Sequence, residues 1–204
     1  MRIYLNDRVL LLRKKPPKSR EYQYVSSIEQ LDGLVRDFET DPSIKKMVLY
    51  SDFFVDLRKD LFTLLLPVNA AGGIIRNEKG ELLLIYRRGH WDLPKGKLNG
   101  KGKTQENRKK AALREVTEET GILDVMITGK SKKTHHIFYD KKRRMLKNTR
   151  WYRMYAPSGQ PLIPQTEEDI QMVKWMSPQE VLSLLDLVYP SLRDLIRKEL
   201  KVVQ

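Results

Sequence analysis

The sequence predicts an α/β fold, on three observations. Short apolar runs bounded by turn residues recur along the chain as strands would, and stretches with apolar residues at helical spacing lie between them. Several of those stretches also open on a capping residue. Taken in order, Arg2 to Leu5 and Val9 to Arg13 read as a strand pair, and Lys14 to Arg20 as a linker rich in proline and charge. A helix follows from the capping box of Ser26 with Glu29, with Ile28, Leu31, Leu34, Val35 and Phe38 on one face. A strand at Lys46 to Tyr50 and a helix near Phe53 to Leu64 complete a small α/β unit over residues 1–66.

Farther on, Ala70 to Arg76 and Leu82 to Arg88 read as two strands around the turn Asn77 to Gly80. The next helix is expected to be capped by Thr104 and ended by a left-handed Gly121, with Ala112, Leu113, Val116 and Thr120 turned to the core. Strands are expected around Asp124 to Gly129, Thr134 to Tyr139 and Trp151 to Tyr155. After the acidic run Glu167 to Asp169 come a strand at Gln171 to Trp175 and a helix capped by Ser177 with Pro178 and Glu180. A last amphipathic helix spans about Ser191 to Leu200.

At 204 residues the chain can bury one good core and a smaller second one. With no cysteine, disulfides, thiolate chemistry and zinc–thiolate sites are excluded. No apolar run approaches the length of a signal peptide or a membrane span, so a soluble, cytoplasmic protein is expected. The formal charge of +13 is uneven: Lys95, Lys97, Lys101, Lys103, Arg108, Lys109 and Lys110 precede and open the central helix, and a second basic series runs from Lys130 to Arg150. Such a surface attracts polyanions, and a small phosphorylated metabolite fits that description. No zinc finger, helix-turn-helix or aromatic RNA-binding strand is visible, so nucleic acid is not an expected partner, and neither is a membrane.

The densest chemistry lies in residues 100–122, GKGKTQENRKKAALREVTEETGI. At about 100° of rotation per residue, Glu115, Glu118 and Glu119 share an arc of roughly 100°, with Arg114 just outside it. Carboxylates three and four apart repel one another, so the cluster costs stability unless a cation sits in it. Clustered oxygen ligands without any sulfur suit a hard ion, Mg²⁺ or Mn²⁺. Taken alone, the run also fits the solvated acidic face of a surface helix.

Read in full, Gly100, Glu106, Arg114, Glu115, Val116, Glu118, Glu119, Gly121 and Ile122 fit the spacing Gx5Ex7REUxEExGU, in which U is a bulky aliphatic residue. The stretch resembles the Nudix box. The strand pair before it and the segment WDLPKGK from Trp91 to Lys97 stand in the order of that family. The resemblance implies a Nudix-like α/β/α sandwich with a mixed sheet over residues 67–204, beside the small N-terminal α/β extension. No family is recognised in the extension, for which packing, a homodimer contact or shaping of the substrate mouth are the roles left open. In one respect the chain departs from the family: the glycine of LPxGK is usually the box glycine, whereas here Gly96 stands too early and Gly100 meets the spacing. Gly96, whose carbonyl often reaches the metal in this family, is taken as the working glycine, and the loop after it looks lengthened.

The resemblance further implies Mg²⁺-dependent hydrolysis of a phosphoanhydride in a nucleoside diphosphate linked to another group. Carried over residue by residue, Glu119 is the first metal ligand, Glu115 the next, and Glu118 a ligand or a sharer of one. Glu115, Glu118 and Arg114 are the catalytic candidates, Arg114 through pairing to a box glutamate, and Glu106 binds metal indirectly or tethers the loop. Glu167 and Glu168 are candidates for an additional base or ligand, against the simpler reading of an exposed acidic turn. Arg87, Arg88, Lys95 and Lys97 are candidate phosphate contacts, and Tyr139 is a candidate for stacking on a base or a strand residue in the core. The favoured substrate is a dinucleoside or nucleoside polyphosphate. The alternatives are a diphosphoinositol polyphosphate and a non-catalytic regulator that senses a nucleotide.

Overall fold

The computed structural model describes residues 1–18, 21–100 and 102–201. Arg20 of the expected linker and Lys101 of the basic loop lie outside the described residues. The chain divides into two compact units, one formed by Met1–Val68 with His135–Asn148, the other by Asn69–Thr134 with the chain from Thr149 onward.

The first unit begins with β1 (Arg2–Leu5) and β2 (Arg8–Arg13), an antiparallel pair whose turn places Asn6 at φ 53, a conformation asparagine tolerates well. Then come β3 (Gln23–Tyr24), α1 (Ile28–Thr40), β4 (Lys46–Tyr50) and α2 (Phe54–Leu64). Strands β2, β4 and β3 run parallel, and β1 also pairs with the 135–148 segment through Tyr4 and His136. Alternate strand residues Ile3, Leu10, Leu12 and Leu49 meet Leu31, Val35, Phe38, Leu57 and Leu61, so both helices cover the same face. The cap of α1 is Ser27 rather than Ser26: its hydroxyl accepts from the Gln30 amide at 3.2 Å, while the Ser26 amide donates to the Gln30 side chain. The box is therefore one residue later than expected, with glutamine in the place given to Glu29.

Two arginines tie this unit together. Buried Arg8 donates to the carbonyls of Phe38, Glu39 and Asp41, which are left without helical partners at the end of α1. Arg144 reaches from the 135–148 segment to Asp32 at 2.5 Å and Glu39 at 2.9 Å on α1.

The second unit is built on β5 (Leu66–Arg76), β6 (Leu82–Arg87), β7 (His90–Asp92), β8 (Lys95–Lys97), α3 (Arg108–Thr120), β9 (Met126–Asp140), β10 (Arg143–Tyr155), β11 (Ile170–Met176), α4 (Pro178–Ser183) and α5 (Pro190–Lys201). Its sheet runs β11-β6-β5-β10-β9, with β7 on β6 and β8 on β5. Adjacent residues part to opposite faces: Ile75, Leu83 and Ile85 pack with Ala112 and Val116 of α3, while Ile74, Leu82 and Leu84 pack with Val181 of α4 and Leu192, Leu195 and Ile196 of α5. The result is the α/β/α sandwich with a mixed sheet that the sequence implied. Strand β9 is one continuous strand where two were expected, and the basic stretch between it and β10 closes in a turn with Lys141 at φ 47 and Lys142 at φ 67. Among the described residues no helix is long and apolar enough to cross a membrane.

Replacing Arg8 by alanine would strand the Phe38 and Glu39 carbonyls at the end of α1, while that of Asp41 keeps the Ile44 amide. Chemical denaturation should show a loss of about 2–4 kcal/mol, the range for uncompensated buried polar groups; a loss within 0.5 kcal/mol or so would mean that water replaces the guanidinium.

Candidate active site

Helix α3 starts later than its sequence suggests. Thr104 ends a short 3₁₀ turn (Gly102–Thr104), and the N-cap is Asn107, whose side chain accepts from the Lys109 amide at 2.9 Å. The far end is as expected, with Gly121 left-handed at φ 78. Ala111, Ala112, Val116 and Thr120 face the core, and Glu119, one residue round from that stripe, is buried with them at 2% exposure.

Arg114 is the hub of the carboxylates. Its guanidinium donates to Glu106 at 2.8 and 3.1 Å, to Glu115 and Glu118 at 2.8 Å each, and to the Lys97 carbonyl at 3.1 Å. Glu106 also accepts from the Asn99 amide at 3.1 Å, and its own amide donates to the Asn99 carbonyl at 2.7 Å. The loop is thus clipped shut at its base, with the clip fastened to the helix by Arg114. That arginine holds the Glu106 carboxyl below the usual range. Gly100 is required by this turn: it sits at φ 74, and a side chain there would meet the Thr104 carbonyl.

Gly96 lies on β8, opposite Ala71 of β5, directly beneath the Glu115 carboxylate. A β-carbon at Gly96 would stand 1.8 Å from a Glu115 oxygen, so only glycine leaves that carboxylate its place. Burial pushes the Glu115 carboxyl up, against the pull of Arg114. Glu119 sits deeper, with one oxygen accepting from the Lys95 amide at 2.7 Å and the other 3.4 Å from Arg87. Burial pushes its carboxyl up to about 7, and the nearby cations only partly offset it.

The expected phosphate contacts divide. Lys95 does not offer a free ammonium, because its amine is buried against Asp92 at 2.6 Å. Arg88 pairs with Asp169 at 2.7 Å on the surface. Arg87 lies between Asp92 at 3.6 Å and Glu119, and its Nε is buried with no hydrogen-bond partner, so one donor of this guanidinium is unused beside the carboxylates. Lys97 is exposed, and Trp91 packs in the core beside Tyr86. Glu167 and Glu168 lie exposed on a 3₁₀ turn, and the Glu168 charge is close enough to act on both Glu115 and Arg87. Tyr139 belongs to the first unit, where its hydroxyl interacts with Glu39. The sequence reading passed over Asp92, the buried counter-ion of two cations; a carboxylate inside the otherwise buried run WDLP was the available signal.

The donor set suits a hard divalent ion, since it is made of carboxylates with Gly96 leaving room beside Glu115. Among the described residues no three acidic or histidine side chains converge as they stand. The cause is visible: Glu115 and Glu118 are drawn to Arg114, and Glu119 to the Lys95 amide and Arg87. Coordination by this set therefore requires the side chains to rotate from these partners.

An acidic helix seated against a glycine of the adjoining strand, within an α/β/α sandwich, is an arrangement that can gather a divalent cation for phosphate chemistry. The model of the NUDIX domain matches residues 66–198, well over half of the chain, and the chain belongs to this family of pyrophosphohydrolases. The MutT protein of Methanosarcina mazei Go1 is similar in structure, with 23% identity and a TM-score of 0.50, over 66% of this chain and 93% of that one. An Ap4A hydrolase of C. elegans, solved as a binary complex, matches at 22% identity and a TM-score of 0.50, over 67% of this chain and 97% of its own. At such identities the likeness speaks to the fold.

Gly96→Ala should displace the Glu115 carboxylate and lower turnover by about tenfold or more, with the melting temperature changed by only a few degrees. Turnover at the wild-type rate in that variant would remove Glu115 from the site.

Proposed function

We propose that the chain is a Mg²⁺-dependent hydrolase, with Mn²⁺ an effective substitute, of a phosphoanhydride in a dinucleoside or nucleoside polyphosphate. The observation that carries this reading is the seating of Glu115 on Gly96, with Glu118 and Glu119 on the same helix. Glu115, Glu118, Glu119 and the Gly96 carbonyl would hold the metal. When bound, it neutralises phosphate charge and lowers the pKa of a bound water.

The chain's own residues do the rest. Arg114 orients Glu115 and Glu118 and fastens the loop through Glu106. Arg87, held beside Glu119, meets a phosphate oxygen. Arg88 and Lys97 extend that contact toward the second phosphate, and Glu168 stands ready as an additional base or ligand. Residues 67–204 carry this chemistry, apart from the end of the β9–β10 hairpin, which serves the N-terminal extension.

The test is turnover with Mg²⁺ on diadenosine tetraphosphate, ADP-ribose, nucleoside triphosphates and a diphosphoinositol polyphosphate. Hydrolysis should be strongest among the nucleoside polyphosphates, and silence across the panel would sink the proposal. Glu119→Gln should lower the rate by at least about 100-fold. Because it removes a buried charge, the same change should leave the melting temperature equal or higher at pH 8. The folded carboxyl titrates above its ordinary value, so its destabilising charge appears as pH rises through about 7. Undiminished activity in this variant would refute the ligand assignment.

A further inference from the structure

The first unit has a second face that the hydrolase reading does not use. Ile3, Leu10, Leu12, Leu49 and Ile137 point to the core under α1 and α2, so the residues between them point the other way. Among the described residues of this unit no helix covers that side. The register aligns it: Tyr4 stands beside Val9 and His136, Val9 beside Lys46, and Tyr50 beside both Arg13 and Tyr24. Phe138, next to the buried Ile137, shares the face, with the Lys147 ammonium 5.2 Å from its ring centre.

The middle of the face is apolar, with Leu11 and Val48 buried side by side, and aromatic and cationic side chains surround it. Tyr24 is 44% exposed, and its ring lies 5.9 Å from that of Tyr50. Asp52 accepts from both phenols, which fixes the two rings as a rigid pair. Arg13 and Lys46 are exposed beside them, while the Lys14 ammonium turns to the helix side, 5.6 Å from the Phe54 ring centre.

An anionic partner fits this charge, and a second copy of the same face does not, since it would set cation against cation. Exposed rings have no stacking partner on a closed duplex, whereas unpaired bases have faces that stack on rings while their phosphates meet the rim of cations. We propose that the helix-free face of the first unit binds single-stranded nucleic acid. Tyr4, Tyr24, Tyr50 and Phe138 stack on bases, and Arg13 and Lys46 contact the backbone. The aromatic residues come from four different strands, which is why no single strand in the sequence carried the pattern. The proposal stands apart from the hydrolase reading.

The experiment is fluorescence anisotropy of labelled oligo(U) and oligo(dT), each about 16 nucleotides long, with the full chain in EDTA. Saturable binding is expected, weaker for a duplex of equal length, with a log–log salt slope of about −0.7 per phosphate contacted. Tyr50→Ala and Phe138→Ala should each weaken it about tenfold, and Tyr50→Phe should stay within about twofold. If either alanine variant fails to fold by circular dichroism, Tyr24→Ala at the exposed edge serves instead. Binding of either strand supports the proposal, and the tighter one identifies its source as RNA or DNA. No saturable binding, duplex binding as tight as single-strand binding, indifference to all the ring deletions, or self-association through this face in sedimentation would each overturn it.

Discussion

The candidate active site depends on one electrostatic constraint: four carboxylates gathered on and before one helix, with a single arginine among them. Glu106, Glu115 and Glu118 all meet Arg114, so one cation answers three anions. Glu119 lies deeper, where burial outweighs the help of Arg87 and the Lys95 amide. Such an arrangement is costly by itself, since removing carboxylates from water disfavours their charge. Its cost is the source of its use, because a divalent cation gains most where negative charge is concentrated and least compensated.

The surrounding structure holds this imbalance in place. The glycine strand β8 lies against β5 so that Glu115 can rest on Gly96, and Gly72 on β5 lets β8 approach, since a β-carbon there would strike Pro94 and Lys95. Asp92 absorbs the charge of Lys95 and part of that of Arg87, which would otherwise fall on Glu119. The loop from Lys97 to Glu106 is anchored at its base by Asn99, Glu106 and Arg114.

Much of this was legible in the sequence because it rests on local periodicity and fixed spacing. Helix α3 with its glycine end, the strands flanking it, and the carboxylate face follow from residues within a few positions of one another. What was not legible depends on pairs distant in sequence. Thr104 has the chemistry of a cap, but the clip between Asn99 and Glu106 delays the helix to Asn107. Lys95 has the charge of a phosphate ligand, but the fold buries it on Asp92. Tyr139 follows the box at a suggestive distance, yet the long β9–β10 hairpin carries it into the first unit, beside Glu39. The same hairpin supplies Ile137 and Leu146 to that unit's core, a partnership that no local pattern announces.

The central claim is that the imbalance of charge on α3 exists to hold a divalent ion. Its most direct measure is Mn²⁺ binding to the substrate-free protein, followed by electron paramagnetic resonance, in the wild type and in Glu115→Gln. Saturable binding that the substitution weakens by about tenfold or more is the predicted result. Equal binding by the two proteins, or none by a wild type that still turns over substrate, would contradict the account.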